Sequence, residues 1–194
     1  MHIYRYIRTF RNWPSVFLNV HRRNFNFYVK YRDGRKVKVL SQGHLYILSF
    51  SPKNLEYDHD IDVLSFDFDG KIVKFKGALN NGDVGSVFGE LCYDVNVRGK
   101  TVLDIGANIG DSSIFFALRG ASKVIALEPS YPNFLTLREN IRLNGFETKI
   151  VPLHIGVSAK DCIIKLPATL SGARVNALND RSTDGQFLKV RIYL

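Results

Sequence analysis

Two short stretches hold the residues best suited to chemistry. The first, L-D-I-G-A-N-I-G-D-S-S at 103–113, ends an apolar run on Asp104 and then brackets Asn108 between Gly106 and Gly110. The second, I-A-L-E-P-S at 125–130, places Glu128 22 residues after Gly106. Gly106 permits a tight turn and puts no side chain between backbone and ligand. Asn108 is of the non-glycine type that best tolerates a left-handed conformation. Gly110 lets a following helix pack close to the preceding strand. Asp111, Ser112 and Ser113 suit the start of that helix as caps, donors or acceptors. A carboxylate at Glu128 can accept hydrogen bonds from both hydroxyls of a ribose. One helix plus one strand returns the chain beside the loop, which accounts for the spacing.

The loop is a poor match for two ligand classes. A dinucleotide site uses G-x-G-x-x-G, so that a helix N-terminus meets a pyrophosphate. A nucleoside triphosphate loop uses G-x-x-x-x-G-K-[ST]. G-A-N-I-G is neither, so a ligand with a ribose but no phosphates fits better. S-adenosylmethionine is such a ligand. Its carboxylate would face the helix N-terminus, and its ammonium would face Asp104 directly or through water. The competing reading, two glycines that serve helix packing only, is weakened by Glu128 at the right distance. His154 invites a role as base, but its place in or just after a strand suits a structural or adenine-side residue. Spacing pairs none of His2, His21, His44 and His59 with a carboxylate, so no catalytic residue is nominated.

The elements that must position these residues follow from periodicity. Thr101–Ile105, Lys123–Glu128 and Lys149–Leu153 read as buried-type strands, and 111–119 and 132–144 as helices. Gly120 and Asn144-Gly145 supply the helix stops. The result is β-α-β-α-β, half of a doubly wound α/β sheet, with both helices on one face. Residues 25–80 read as an antiparallel β-hairpin region. "FYVKYRDGRKVKVL" and "IDVLSFDFDGKIVKFKG" alternate around Asp33-Gly34 and Asp69-Gly70, and "HLYILSF" is a third strand. Residues 79–90 read as a polar, glycine-rich link. Asp58, Asp60, Asp62 and Asp69 invite a calcium-loop reading, but Val63 stands where that motif wants glycine, so a solvated acidic loop is expected. In the tail, "IIKLPATL" and "FLKVRIYL" look like strands around the polar "NALNDRSTDG".

The chain has 194 residues, 45% of them hydrophobic, and a formal charge of +9. That length suits one domain with an appendage and a real core. Ten of the Lys/Arg residues and one acid fall in residues 1–40, so the excess charge belongs to an N-terminal attachment. Residues 1–24 read as a basic helical segment with a break at Asn12–Trp13 before Pro14. Its apolar stripe is Tyr4, Ile7, Phe10, Trp13 or Pro14, Phe17, and Val20 or His21. A helix docked on the domain is the leading expectation. Peripheral contact with an anionic membrane is the second, and nucleic acid is not expected, because no motif that reads it accompanies the charge. No apolar run is long enough for a spanning helix and no signal-peptide core is visible. Cys92 and Cys162 form no C-x-x-C and read as buried thiols, which suits a reducing, cytoplasmic setting.

Residues 99–145, "GKTVLDIGANIGDSSIFFALRGASKVIALEPSYPNFLTLRENIRLNG", resemble the S-adenosylmethionine-binding core of FkbM-type methyltransferases. "NNGDVGSVFGELCYDV" upstream is similar to that family's lead-in, and the likeness reaches loosely to "LSGARV" at 170–175. The resemblance implies a class I Rossmann-like methyltransferase domain over 81–194. It implies cofactor contacts at Asp104, Gly106, Ala107, Asn108, Gly110, Asp111, Ser112 and Glu128, with Pro129 shaping the next turn. It places the adenine near Ile155, Gly156 and Val157, and involves no metal. The implied reaction is methylation of a hydroxyl on a sugar, lipid or secondary metabolite, so the expected partner is a small-molecule or glycan acceptor. The family continues into a fourth parallel strand with a K-x-D-x-E-G-type segment, which this sequence does not reach before Leu194. A C-terminally incomplete domain is therefore expected, and a catalytically inactive S-adenosylmethionine-binding module is the alternative. An open edge beside the first strand would call for cover from the N-terminal sheet, from 163–194 or from a second copy of the chain.

Overall fold

A computed structural model describes residues 3–79 and 83–157, together with the backbone of strands at 162–166 and 186–190. The chain divides into two compact units. One comprises residues 1–73 with 77–92, the other 74–76 with 93–194.

The first unit opens with helices α1 (Ile3–Thr9) and α2 (Trp13–His21), broken where the sequence predicts and with Pro14 in the first turn of α2. The buried stripe differs from the predicted one. Tyr6, Phe10 and Val16 are buried, while Tyr4 is 68% exposed. Seven residues make two turns at most, too few for periodicity to choose a face, and the restart at Pro14 resets the phase. These side chains share one core with Val29, Tyr31, Val39, Leu45 and Leu48. Strands β1 (Tyr28–Lys30) and β2 (Lys36–Lys38) form the expected antiparallel hairpin around Asp33-Gly34. "HLYILSF" at 44–50, expected as a strand, falls instead mostly in helix α3 (Gln42–Leu48). Ser41 caps it, its hydroxyl accepting from His44 N at 3.0 Å. The buried positions His44, Leu45, Ile47 and Leu48 follow helical rather than alternating spacing.

Strands β3 (Lys53–Asp58), β4 (Val63–Phe68) and β5 (Lys71–Lys76) form a sheet in that order. The turn between β4 and β5 has positive φ at both Asp69 (51°) and Gly70 (79°), the combination that matches strand twist in a two-residue hairpin loop. In the acidic loop, Asp58 Oδ1 accepts from the amides of Asp60 and Ile61, a local side-chain turn. Residues 83–88, expected as part of a link, form helix α4 (Asp83–Phe88). Gly85 there meets the Tyr46 ring and Gly89 the Phe50 ring with no room for a Cβ. The glycines serve close packing, which is why they read as a loop. Cys92, expected to be buried, is exposed.

The second unit contains strand β6 (Thr101–Ile105), helix α5 (Asp111–Leu118), strand β7 (Lys123–Leu127), helix α6 (Tyr131–Leu143) and strand β8 (Ile150–Leu153). The strands are parallel in the order β6-β7-β8, with Leu103 opposite Ile125 and Ile125 opposite Val151. This is the Rossmann-like half-sheet. Helix α5 packs on β6, β7 and β8, and α6 packs on β8. On β6 the alternate residues Leu103 and Ile105 are 57% and 58% exposed. Gly120 (φ 92°) ends α5, and the amide of Ala121 reaches back to Phe116 O. The predicted tail strands are β9 (Cys162–Leu166) and β10 (Gln186–Val190), an antiparallel pair forming its own sheet. The polar stretch between them and "LSGARV" lie outside the described residues.

Candidate functional site

The site forms where β6 and β7 end side by side. The amides of Gly106 and Ala107 both donate to Leu127 O at 2.9 Å, which anchors the loop to the last residue of β7. The next residue is Glu128. Its Oε2 accepts from Asn108 N at 2.8 Å and its Oε1 accepts from Ser130 N at 2.7 Å. The glycine loop and the acidic residue are thus joined by a direct hydrogen bond between positions 20 apart in sequence. Asn108 adopts φ 50°, Gly106 79° and Gly110 95°, so all three stand in the left-handed region their residue types suit.

Glu128 is 5% exposed. Burial pushes its carboxyl pKa up, opposed by the amides of Ser130 and Asn108, the Asn133 side chain and the charge on His154. Asp104 is partly buried, and its Oδ2 accepts from the hydroxyls of Ser112 (2.7 Å) and Ser113 (2.5 Å). Those hydroxyls therefore hold Asp104 instead of capping α5. Gly110 is the N-cap and, having no side chain, makes no cap bond of its own. Asp111 in the first turn of α5 and Ala107 in the loop are both buried. Over Gly106, a Cβ would meet nothing within 4 Å. The backbone there borders open space, a cradle that a ligand could enter.

At the end of β8, Gly156 is buried and Val157 exposed. His154 Nε2 lies 3.0 Å from Pro129 O, and its ring stacks on Phe134 (5.1 Å, 27°) beside Tyr131. These contacts tie the turn after Glu128 to the segment after β8. The sequence reading gave no role to Asn133 and missed Asn140, both on α6. Asn140 is fully buried, and its Nδ2 donates to Ile109 O in the loop at 2.8 Å. The available signal was a pair of asparagines, Asn140 and Asn144, on the helical stripe begun by Leu137.

No family model matches the chain. Among solved structures, it is similar to the Trypanosoma brucei PRMT1 enzyme–prozyme complex with AdoHcy, at 39% identity over 29% of this chain and 17% of that one, TM-score 0.28. It is similar to Trm5b from Pyrococcus abyssi at 24% identity over 48% of this chain and 28% of that one, TM-score 0.36. It is similar to the SAM-dependent methyltransferase from Agrobacterium tumefaciens at 19% identity over 48% and 32% of the two chains, TM-score 0.38. The matched part spans less than a third of each of these proteins.

Proposed function

We propose that the chain binds S-adenosylmethionine at the Gly106–Gly110 loop and belongs to a methyltransferase of FkbM type that methylates a hydroxyl group. The observation that carries the cofactor reading is the Asn108 N to Glu128 Oε2 bond at 2.8 Å. It sets the acidic group beside an open glycine loop at the carboxyl ends of two parallel strands, where Rossmann-like sheets take their ligands. Glu128 faces the ribose with the acceptor capacity that the amides of Asn108 and Ser130 and the Asn133 side chain leave it. The N-terminal turn of α5 holds the carboxylate. Asp104, oriented by Ser112 and Ser113, leaves Oδ1 for the ammonium. Gly156 and Val157 border the adenine. When bound, the cofactor supplies an electrophilic methyl carbon on a sulfonium. That methyl would pass to an acceptor hydroxyl oxygen by in-line displacement, the thioether leaving and the hydroxyl proton going to a base or to water. The contribution of this chain is to hold the donor in line with the acceptor. The acceptor class, a sugar, lipid or secondary metabolite, rests on the family resemblance.

Titration calorimetry with S-adenosylmethionine tests the site. The wild-type chain binds it and not NAD, and Glu128→Ala weakens binding by about 10- to 100-fold, the value of one hydrogen bond to a charged group. Unchanged affinity in that variant overturns the assignment. A labelled-methyl assay with sugar and lipid acceptors, run beside arginine peptides and RNA, tests the acceptor class. Label in the peptide or RNA alone overturns hydroxyl methylation, and binding without transfer to any of them favours a non-catalytic binding module.

The basic N-terminal segment is proposed to rest on an anionic membrane surface. Arg8, Arg11, Arg22 and Arg23 are all exposed on or beside α1 and α2, the placement such contact needs. Among the described residues no helix is long and apolar enough to cross a membrane.

A further inference from the structure

We propose that Asn140 is a positioning residue that sets the glycine loop, and through it Glu128, from the far side of α6. The inference rests on the cofactor reading above for its effect on binding. Its structural part stands on the hydrogen bonds alone. The Asn140 Nδ2 donates to Ile109 O at 2.8 Å. The same peptide group carries Gly110 N, which donates to Ala107 O at 2.7 Å. The peptide group of Ala107 O carries Asn108 N, which donates to Glu128 Oε2 at 2.8 Å. Asn140, two peptide planes and Glu128 therefore form one relay. Every donor in it points the same way, toward the carboxylate. Aligned hydrogen bonds polarise one another, and this relay ends on the group best able to use that polarisation.

The geometry of the loop makes such an anchor necessary. Gly110 stands at φ 95°, and a glycine accepts either sign of φ at little cost, so the Ile109–Gly110 peptide plane needs holding. Ala107 O holds that plane by its N–H, and Asn140 holds it by its carbonyl. Asn140 is itself fixed. Its Oδ1 accepts from Lys76 N at 2.7 Å and its Nδ2 also donates to Lys76 O at 3.2 Å, so the amide pairs with Lys76 as a neighbouring strand would. Four residues on, Asn144 makes the same pair of bonds to Lys74, from Lys74 N at 3.0 Å and to Lys74 O at 2.7 Å. Both backbone segments belong to the same compact unit as α6. Asn144 thus shares the strand-holding role, and the bond to the loop comes from Asn140.

That difference supplies a matched control. Asn140→Asp and Asn144→Asp each keep the acceptor and lose the donor toward the strand; Asn144→Asp also loses its donor to Asn140 O at the helix end, and Asn140→Asp its donor toward Ile109. In the ligand-free protein, Asn140→Asp is expected to move the amide proton signals of Asn108 and Gly110 upfield and to speed their exchange, and Asn144→Asp to leave both unchanged. With S-adenosylmethionine added, affinity is expected to fall about tenfold in the first variant and less than twofold in the second. Equal effects of the two variants, or unaltered Asn108 and Gly110 signals in Asn140→Asp, overturn the proposal and reduce Asn140 to a strand tie. If the wild-type chain fails to bind S-adenosylmethionine, the cofactor reading fails, and the ligand-free signals still decide whether Asn140 sets the loop. If Asn140→Asp does not fold, the side-chain amide signals of the wild-type chain decide. Those of Asn140 shift on addition of S-adenosylmethionine and those of Asn144 do not, and an unshifted Asn140 overturns the proposal.

Discussion

At the residue scale, the buried titratable groups act in opposite directions. His44 is buried on α3, with Leu40 N donating to its Nδ1 at 3.2 Å. Nδ1 therefore accepts, and the ring is neutral. Burial, with a smaller contribution from His59, lowers its pKa from 6.5 to about 4. The folded pKa lies below the unfolded one, so the unfolded chain binds more protons between the two. His44 contributes its full stability above about pH 6.5 and loses it as pH falls toward 4, at ~1.4 kcal/mol per pKa unit. Glu128 runs the other way. Burial raises its pKa, so its contribution is full below the unfolded carboxyl range and is lost as pH rises through the folded value. Urea unfolding of wild type and His44→Asn at several pH values separates the two, because the difference between the chains cancels Glu128. The expected outcome is that the stability gap closes by a few kcal/mol between pH 6.5 and 4. A gap that does not vary with pH would show that His44 titrates normally.

At the scale of elements, the glycines divide by job. Gly106 and Gly110 stand at positive φ in the loop. Gly85 lies inside α4 with ordinary helical backbone and the Tyr46 ring where its Cβ would be. Alanine in an exposed helix interior is favoured over glycine by roughly 1 kcal/mol. A net loss in Gly85→Ala therefore isolates the clash with Tyr46. Chemical denaturation is expected to show this variant about 1–3 kcal/mol less stable, the usual cost of overpacking. A gain would mean that Tyr46 moves aside freely.

At the scale of the whole molecule, the charge of the chain is concentrated at one end. Electrostatic attraction to an anionic lipid surface is worth about 1 kcal/mol per basic residue near it and is screened by salt. Co-sedimentation with vesicles containing phosphatidylserine is expected to capture the chain at low salt. Half-molar salt should release it, and Arg22→Glu with Arg23→Glu should lower capture about tenfold or more. Equal capture by neutral vesicles, or a preference for RNA over vesicles, would overturn the membrane reading.

The sequence by itself determined the half-sheet and the identity of its loop. Thr101–Ile105, Gly120, Asn144-Gly145 and the offset from Gly106 to Glu128 are local signals, because strand period, helix stops and crossover length are properties of neighbouring residues. Only the tertiary structure decided the rest. "HLYILSF" has the composition of a strand, yet the Ser41 cap and the burial of two adjacent pairs of its residues make it helix α3. Gly85 and Gly89 read as loop residues because the rings they admit, Tyr46 and Phe50, lie some 40 positions away. Asn140 reads as an ordinary polar residue on a helix. Its partners, Lys76 and Ile109, stand 64 and 31 positions distant, and no short-range pattern can record a hydrogen bond that exists only after the chain has folded back on itself.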